Sequence, residues 1–243
     1  MKLSVVVATN RNAFWRGFCD SLANNRAEME VIFVGPIGIG EPGLPVPSRF
    51  IDIPDPTVGA ARCWEIGARA ASGDLLGLMA DDCVLSPGCL DAVVSAASLP
   101  HHPCDTFTAR YFHNGHDESA GQRMWSIPAM PLLPVGGFGF TEAHHALGGI
   151  DKRFHAVFWD ADLYMSLHAA GGRTTLLDGH TCHEQHTSHS LYHLNAPHDG
   201  EVLMRMWPQP LHPDMQRAEA RQPWEDWVPS GEEGVSHVCS IAS

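Results

Sequence analysis

The chain has 243 residues, a formal net charge of −13, 44% hydrophobic and 18% charged residues. That is enough apolar chain to bury the core of one α/β domain with an appended tail, and too much for global disorder. The acidic balance argues against a nucleic-acid surface, which needs clustered Lys and Arg, and no run of 18 apolar residues marks a membrane-spanning helix. In chain order, residues 3–8 (Leu-Ser-Val-Val-Val-Ala) form an apolar, β-branched run expected of a strand buried on both faces. Thr9-Asn10-Arg11-Asn12 is a polar turn, and Phe14, Phe18 and Leu22 recur at helical spacing, which predicts a helix over 13–25. Val31–Val34 and Phe50–Ile53 read as two further strands around a Gly/Pro-rich loop. A helix is expected over 58–72, stopped by Gly73, then a strand over 75–80 that ends in Asp81-Asp82. Ser86-Pro87 has the composition of a helix start, with Ser as N-cap. Beyond it, Asp105–Phe112 reads as a strand and Ser126–Gly139 as a loop. Thr141–Leu147 and Trp159–Ala170 read as helices, and Arg173–Leu177 as the last strand.

This alternation predicts a doubly wound α/β sheet, in which ligands bind at the carboxyl ends of strands. Thr9-Asn10, Gly35 and Asp81-Asp82 all fall at such ends. The seven cysteines are odd in number and form no Cys-x-x-Cys, so a reducing, cytoplasmic setting is expected rather than a disulfide framework. The N-terminus reads as a strand and not as a signal peptide.

Adjacent carboxylates at a strand end repel each other unless a cation or hydrogen-bond donors offset them. Mg²⁺ or Mn²⁺ on a diphosphate suits such hard oxygen ligands. Read alone, Asp81-Asp82 serves equally as the cap of a turn. The context is more specific. Ala61-Arg62 through Ala70-Ala71-Ser72-Gly73-Asp74, followed by the strand ending in Asp81-Asp82 and by Pro87, resembles glycosyltransferase family 2. So does the opening Val5-Val6-Val7-Ala8-Thr9-Asn10-Arg11. Gly148-Gly149-Ile150-Asp151-Lys152-Arg153-Phe154, followed by Trp159-Asp160-Ala161-Asp162-Leu163, is similar to the acceptor-side motifs of that family.

The resemblance implies a GT-A (Rossmann-like) fold: a mainly parallel central sheet with helices on both faces, as a single domain plus an irregular C-terminal tail. The domain would span 1–187, with a nucleotide-binding half over 1–99 and an acceptor-binding half over 100–187, and the tail would be 188–243. It implies an inverting hexosyltransferase-type enzyme (EC 2.4) with a nucleotide-diphosphate sugar of UDP or GDP type as donor. Thr9, Asn10, Arg11 and Arg62 would contact the nucleotide together with Asp81 and Asp82. Asp81, Asp82 and His183 would hold Mn²⁺ or Mg²⁺. Asp160 would be the general base, with Trp159 and Asp162 toward the acceptor.

Taken without the family, Asp160 and Asp162 suit a helix N-terminus, where the macrodipole favours carboxylates. The histidine-rich segment 180–189 suits either a zinc site or a surface loop. His186 is the reserve for His183. The chain departs from the family where Gly35-Pro36 replaces the acidic residue that usually ends the second strand, so recognition of the base must differ. A nucleotidyltransferase and a non-catalytic nucleotide- or sugar-binding module are the alternative readings. The acceptor is left open: a glycan, another hydroxyl compound, a lipid-linked glycan reached by peripheral membrane contact, or a hydroxymethylated DNA base of the phage type, which the acidic charge disfavours.

Overall fold

A computed structural model describes residues 1–36, 38, 43–55, 57–117, 137–184, 190–209, 216–225 and 236–239. The expected loop over 126–139 therefore lies mostly outside the described residues, as do His186, His189 and Trp227. The first half runs β1 (Leu3–Ala8), α1 (Trp15–Ala23), β2 (Met29–Gly35), β3 (Ser48–Asp52), α2 (Ala60–Ala70), β4 (Leu75–Ala80), β5 (Cys83–Leu85) and α3 (Cys89–Ala97). The second half runs β6 (Thr106–His113), β7 (His116–Asp117), β8 (Phe138–Phe140), α4 (Thr141–Ala146), α5 (Trp159–Ala169), β9 (Thr174–Glu184), α6 (Ser190–Met206) and β10 (Ser236–Cys239).

One sheet runs in the order β10-β3-β2-β1-β4-β8-β6-β9-β5, with β7 beside β6. Strands β3, β2, β1 and β4 are mutually parallel, as the apolar runs predict. Beyond β4 the sheet is mixed: β8 is antiparallel to both β4 and β6, and β9 is parallel to β6. Gly77 marks the seam. A Cβ there would stand 2.5 Å from the ring of Phe138 on β8, so the strand can only be crossed this closely at a glycine.

The β-branched runs are buried on both faces because alternate residues feed different cores. Val6, Ile32, Val34, Leu76 and Leu78 pack with Trp64 and Ile66 of α2 and with Trp159, Leu163 and Met165 of α5. Val5, Val7, Val31, Phe33 and Met79 pack with Trp15, Phe18 and Leu22 of α1 and with Leu90 and Val93 of α3. Trp15 stacks on Phe33 at 4.7 Å between ring centroids, and Phe33 on Phe50 at 5.4 Å. Full burial of each such side chain contributes about 1.5–3 kcal/mol.

Three expectations change. Ser86 does not cap α3. Gly88 precedes that helix in the left-handed region, and the Ser86 hydroxyl instead accepts the N–H of Thr181 at 2.9 Å. The last strand does not stop at Leu177 but continues to Glu184, pairing with β6 and β5, so His180 to His183 lie on a strand rather than in a loop. The tail opens with the 17-residue helix α6, which buries Val202, Leu203 and Met206, and closes its described part with β10; only the described residues between them are irregular. Among the described residues no helix is long and apolar enough to cross a membrane.

Candidate active site

Register places the first cluster. Ala8 pairs with Val34 on one side and Ala80 on the other, so Thr9 and Asp81 leave the sheet together at its carboxyl edge, beside Gly35 at the end of β2. A Cβ at residue 35 would lie 1.8 Å from the Thr9 carbonyl oxygen, which is why no acidic side chain stands there. The Thr9 hydroxyl donates to Asp81 Oδ2 at 2.5 Å and accepts from the indole Nε1 of Trp15 at 3.2 Å. Arg11 reaches back over both acids: its Nη2 donates to Asp81 Oδ1 at 2.8 Å and to Asp82 Oδ2 at 2.7 Å. Its guanidinium carbon lies 4.6 Å from the Phe14 ring centroid. The hydrogen bond to Asp81 raises the Arg11 pKa against the opposing effect of burial. Asn10 is exposed.

The second cluster lies on the same edge. Strands β4, β6 and β9 run in one direction, and their register sets Cys182 level with Asp81, so Glu184 ends β9 two residues beyond that level at the same edge. Cys83 pairs with Glu184, which brings Asp82 next to it in the chain path. The Glu184 carboxylate accepts from the Tyr111 hydroxyl and lies 2.9 Å from His113 Nδ1. Loss of water pushes the Asp160 carboxyl up to about 6, and the charge of Glu184 adds to the rise. The Ala161 N–H, donating to Asp160 Oδ1 at 2.9 Å, opposes it. Glu184 and His113 were not among the predicted site residues. The signal that would have found Glu184 is strand period: it shares a face with Cys182, two residues earlier, once the strand is known to reach that far.

The chain enters α5 through Phe158 at φ 60°, a costly left-handed position for a bulky residue. The loop before it is held by Asp199 of α6, fully buried, whose oxygens accept the N–H groups of His155 (3.0 Å), Ala156 (2.9 Å) and Val157 (2.9 Å). Asp160 is therefore aimed by a loop that the tail helix fixes.

Three predicted site residues are placed elsewhere. Trp159 is buried in the core, its ring 4.7 Å from that of Trp64. Asp162 is fully buried. It accepts from Trp207 Nε1 at 2.8 Å and Arg217 Nε at 2.9 Å, and pairs with Arg221 Nη2 at 2.8 Å, so it anchors the tail. Two residues along a helix turn the side chain by roughly 200°, which carries Asp162 to the face opposite Asp160. Arg62 is buried under the ring of Trp224, at 4.3 Å, so the tail covers it.

A divalent ion would find hard oxygen donors in Asp81 and Asp82, and the Arg11 guanidinium already stands there as a cation in its stead. The donor set fits Mg²⁺ or Mn²⁺ in kind. His183 is exposed on β9, its ring stacked 4.6 Å from that of Phe112, on the strand face opposite Glu184. Among the described residues, one further group has ligand atoms within 4.8 Å of one another: His155, His198 and Asp199. The two imidazoles are stacked 9° from parallel, and the Asp199 oxygens hold backbone N–H groups, which is the arrangement of a loop clamp.

No family model matches the sequence, and no curated protein matches it. Solved structures do. S. aureus TarS superposes with a TM-score of 0.59 at 14% identity, over 84% of this chain and 40% of that one. Residues 1–349 of TarS in complex with UDP-GlcNAc give 0.58 at 15% identity, over 78% and 60%. The same fragment with UDP gives 0.57 at 14% identity, over 84% and 66%. The chain thus spans 40% to 66% of the length of these structures. The likeness carries the fold alone, which is of the GT-A type.

Proposed function

We propose that the chain is a glycosyltransferase that moves a sugar from a nucleoside diphosphate donor to an acceptor hydroxyl with inversion at the anomeric carbon. The observation that carries the reading is the gathering of Asp81, Asp82 and Glu184 at one carboxyl edge, with Asp160 in electrostatic reach of Glu184 and raised to about 6. A carboxylate with that value is ionised at neutral pH yet basic enough to share a proton in the transition state. Asp160 takes the acceptor proton as the hydroxyl oxygen attacks the sugar carbon and the diphosphate leaves. Glu184 acts through Asp160, keeping its basicity high. Thr9 fixes the orientation of Asp81, which with Asp82 faces the donor. A divalent ion, when bound at that pair, would offset the charge of the diphosphate. The solved likenesses in complex with UDP-GlcNAc and UDP support a uridine nucleotide as the first donor class to try. His183 is assigned to the metal by the family resemblance alone.

The test is calorimetry with UDP, GDP, dTDP and CDP, each with and without Mn²⁺, followed by release of nucleoside diphosphate from the matching sugar donor. Metal-dependent binding of one nucleotide is expected. Absence of binding by all four, with and without metal, would remove the donor reading.

A further inference from the structure

We infer that Arg11 is the resident counter-cation of the Asp81–Asp82 pair and competes with the divalent metal for it. The inference rests on the donor-site reading above and adds to it what a metal must displace. The side chains of Asp81 and Asp82 are only 5% and 1% exposed, whereas that of Arg11 is 29% exposed. The guanidinium is thus the solvent-facing cover of two buried carboxylates, and an ion reaching Asp82 Oδ2 must move it. It also bridges them: Nη2 is 2.8 Å from Asp81 and 2.7 Å from Asp82, and Nε is 3.2 Å from both Asp81 oxygens. A planar guanidinium spans two carboxylates in a way that a single ammonium does not.

Arg11 is also built to leave. It stands on the turn after β1, outside any helix or strand, and its other support is the face of Phe14 rather than a buried anion. When it swings out it keeps its charge, and a diphosphate arriving with the metal gives that charge a new partner. Metal and nucleoside diphosphate then favour each other's binding, because each offsets one half of the broken ion pair. Without a nucleotide, the pair prefers the tethered cation, whose association carries no translational cost.

The experiment is Mn²⁺ titration followed by electron paramagnetic resonance of the free ion, on the full chain, with and without UDP. Wild type and Arg11→Met are compared, with thermal melts of each. Arg11→Met is expected to bind Mn²⁺ at least tenfold more tightly than wild type in the absence of UDP. UDP is expected to tighten Mn²⁺ binding more in wild type than in the variant. Equal Mn²⁺ affinity in the two folded proteins without UDP would overturn the competition. Should Arg11→Met melt below the assay temperature, Arg11→Lys decides, since one ammonium bridges the acids poorly: a gain in Mn²⁺ affinity supports the inference and no gain overturns it. A gain in Mn²⁺ affinity with no effect of UDP on either protein would leave the competition standing and remove the uridine donor, so the two ideas fail separately.

Discussion

Two groups of aspartates in this chain are held by arginines, and they differ in what the arginine can do. At the carboxyl edge, Asp81 and Asp82 are bridged by Arg11, whose own side chain faces solvent and belongs to a short turn. On the other side of α5, Asp151 and Asp162 are fully buried and meet Arg153, Arg217 and Arg221, none of whose side chains is more than 14% exposed. Burial alone would raise Asp151, yet the bonds from Arg153, the Gln222 N–H and Arg217 hold it well below the usual carboxylate range. The second group is a weld between domain and tail. Its ions cannot be exchanged without opening the protein, because the low-dielectric surroundings make any lone charge there costly. The first is exchangeable, because water reaches the cation. The same residue types give a buried lock or a solvent-facing ion pair according to which partner is exposed.

Four experiments press on that contrast. The largest effect is expected at the exchangeable edge, where Asp160→Asn should lower transfer by about 10³-fold, roughly 4 kcal/mol of barrier, with nucleotide binding unchanged. The folded-state pKa of Asp160 is raised above its ordinary value, so its stabilising contribution is present at low pH and is lost as pH rises through about 6. The Asn variant should therefore melt no lower than wild type at pH 8. A large drop in melting temperature would make Asp160 part of the weld instead. Next comes Asp162→Ala, which takes a buried carboxylate from two guanidiniums, Arg217 and Arg221, and should cost about 3–5 kcal/mol in chemical denaturation. A loss of transfer with unchanged stability would reverse the assignments of Asp160 and Asp162. Trp207→Phe removes the indole donor to Asp162 and shrinks a fully buried ring, and should cost about 1.5–3 kcal/mol for the lost bond plus a cavity penalty. The smallest effect is Glu184→Gln. It should move the acid limb of the kcat/KM profile to lower pH, since the Glu184 charge is one cause of the raised Asp160 carboxyl. An unmoved limb would separate Glu184 from the base.

Much of the first half was legible because its signals are local. The run Leu75–Ala80 is a strand with the bounds its apolar pattern implies, and the Gly73 stop and Asp81-Asp82 follow in order. The second half was less so. Asp160 and Asp162 are indistinguishable by composition, and only the helix phase separates the raised carboxyl from the buried anchor. Trp159 sits beside Asp160 in sequence and yet points into the core against Trp64. His180 to Glu184 carry polar residues at nearly every position, so no alternation announced that this segment continues as a strand between β6 and β5.

The sequence by itself determined that the first 80 residues form a parallel, doubly buried sheet with carboxylates at its edge, since unbroken β-branched runs have no other stable place and strand ends expose polar turns. Tertiary structure alone decided which carboxylates are available. Arg11 lies 70 residues from Asp81, and Arg217 lies 55 residues from Asp162. Charge compensation depends on distances in space, and no local pattern records which distant guanidinium will arrive or whether water will reach it.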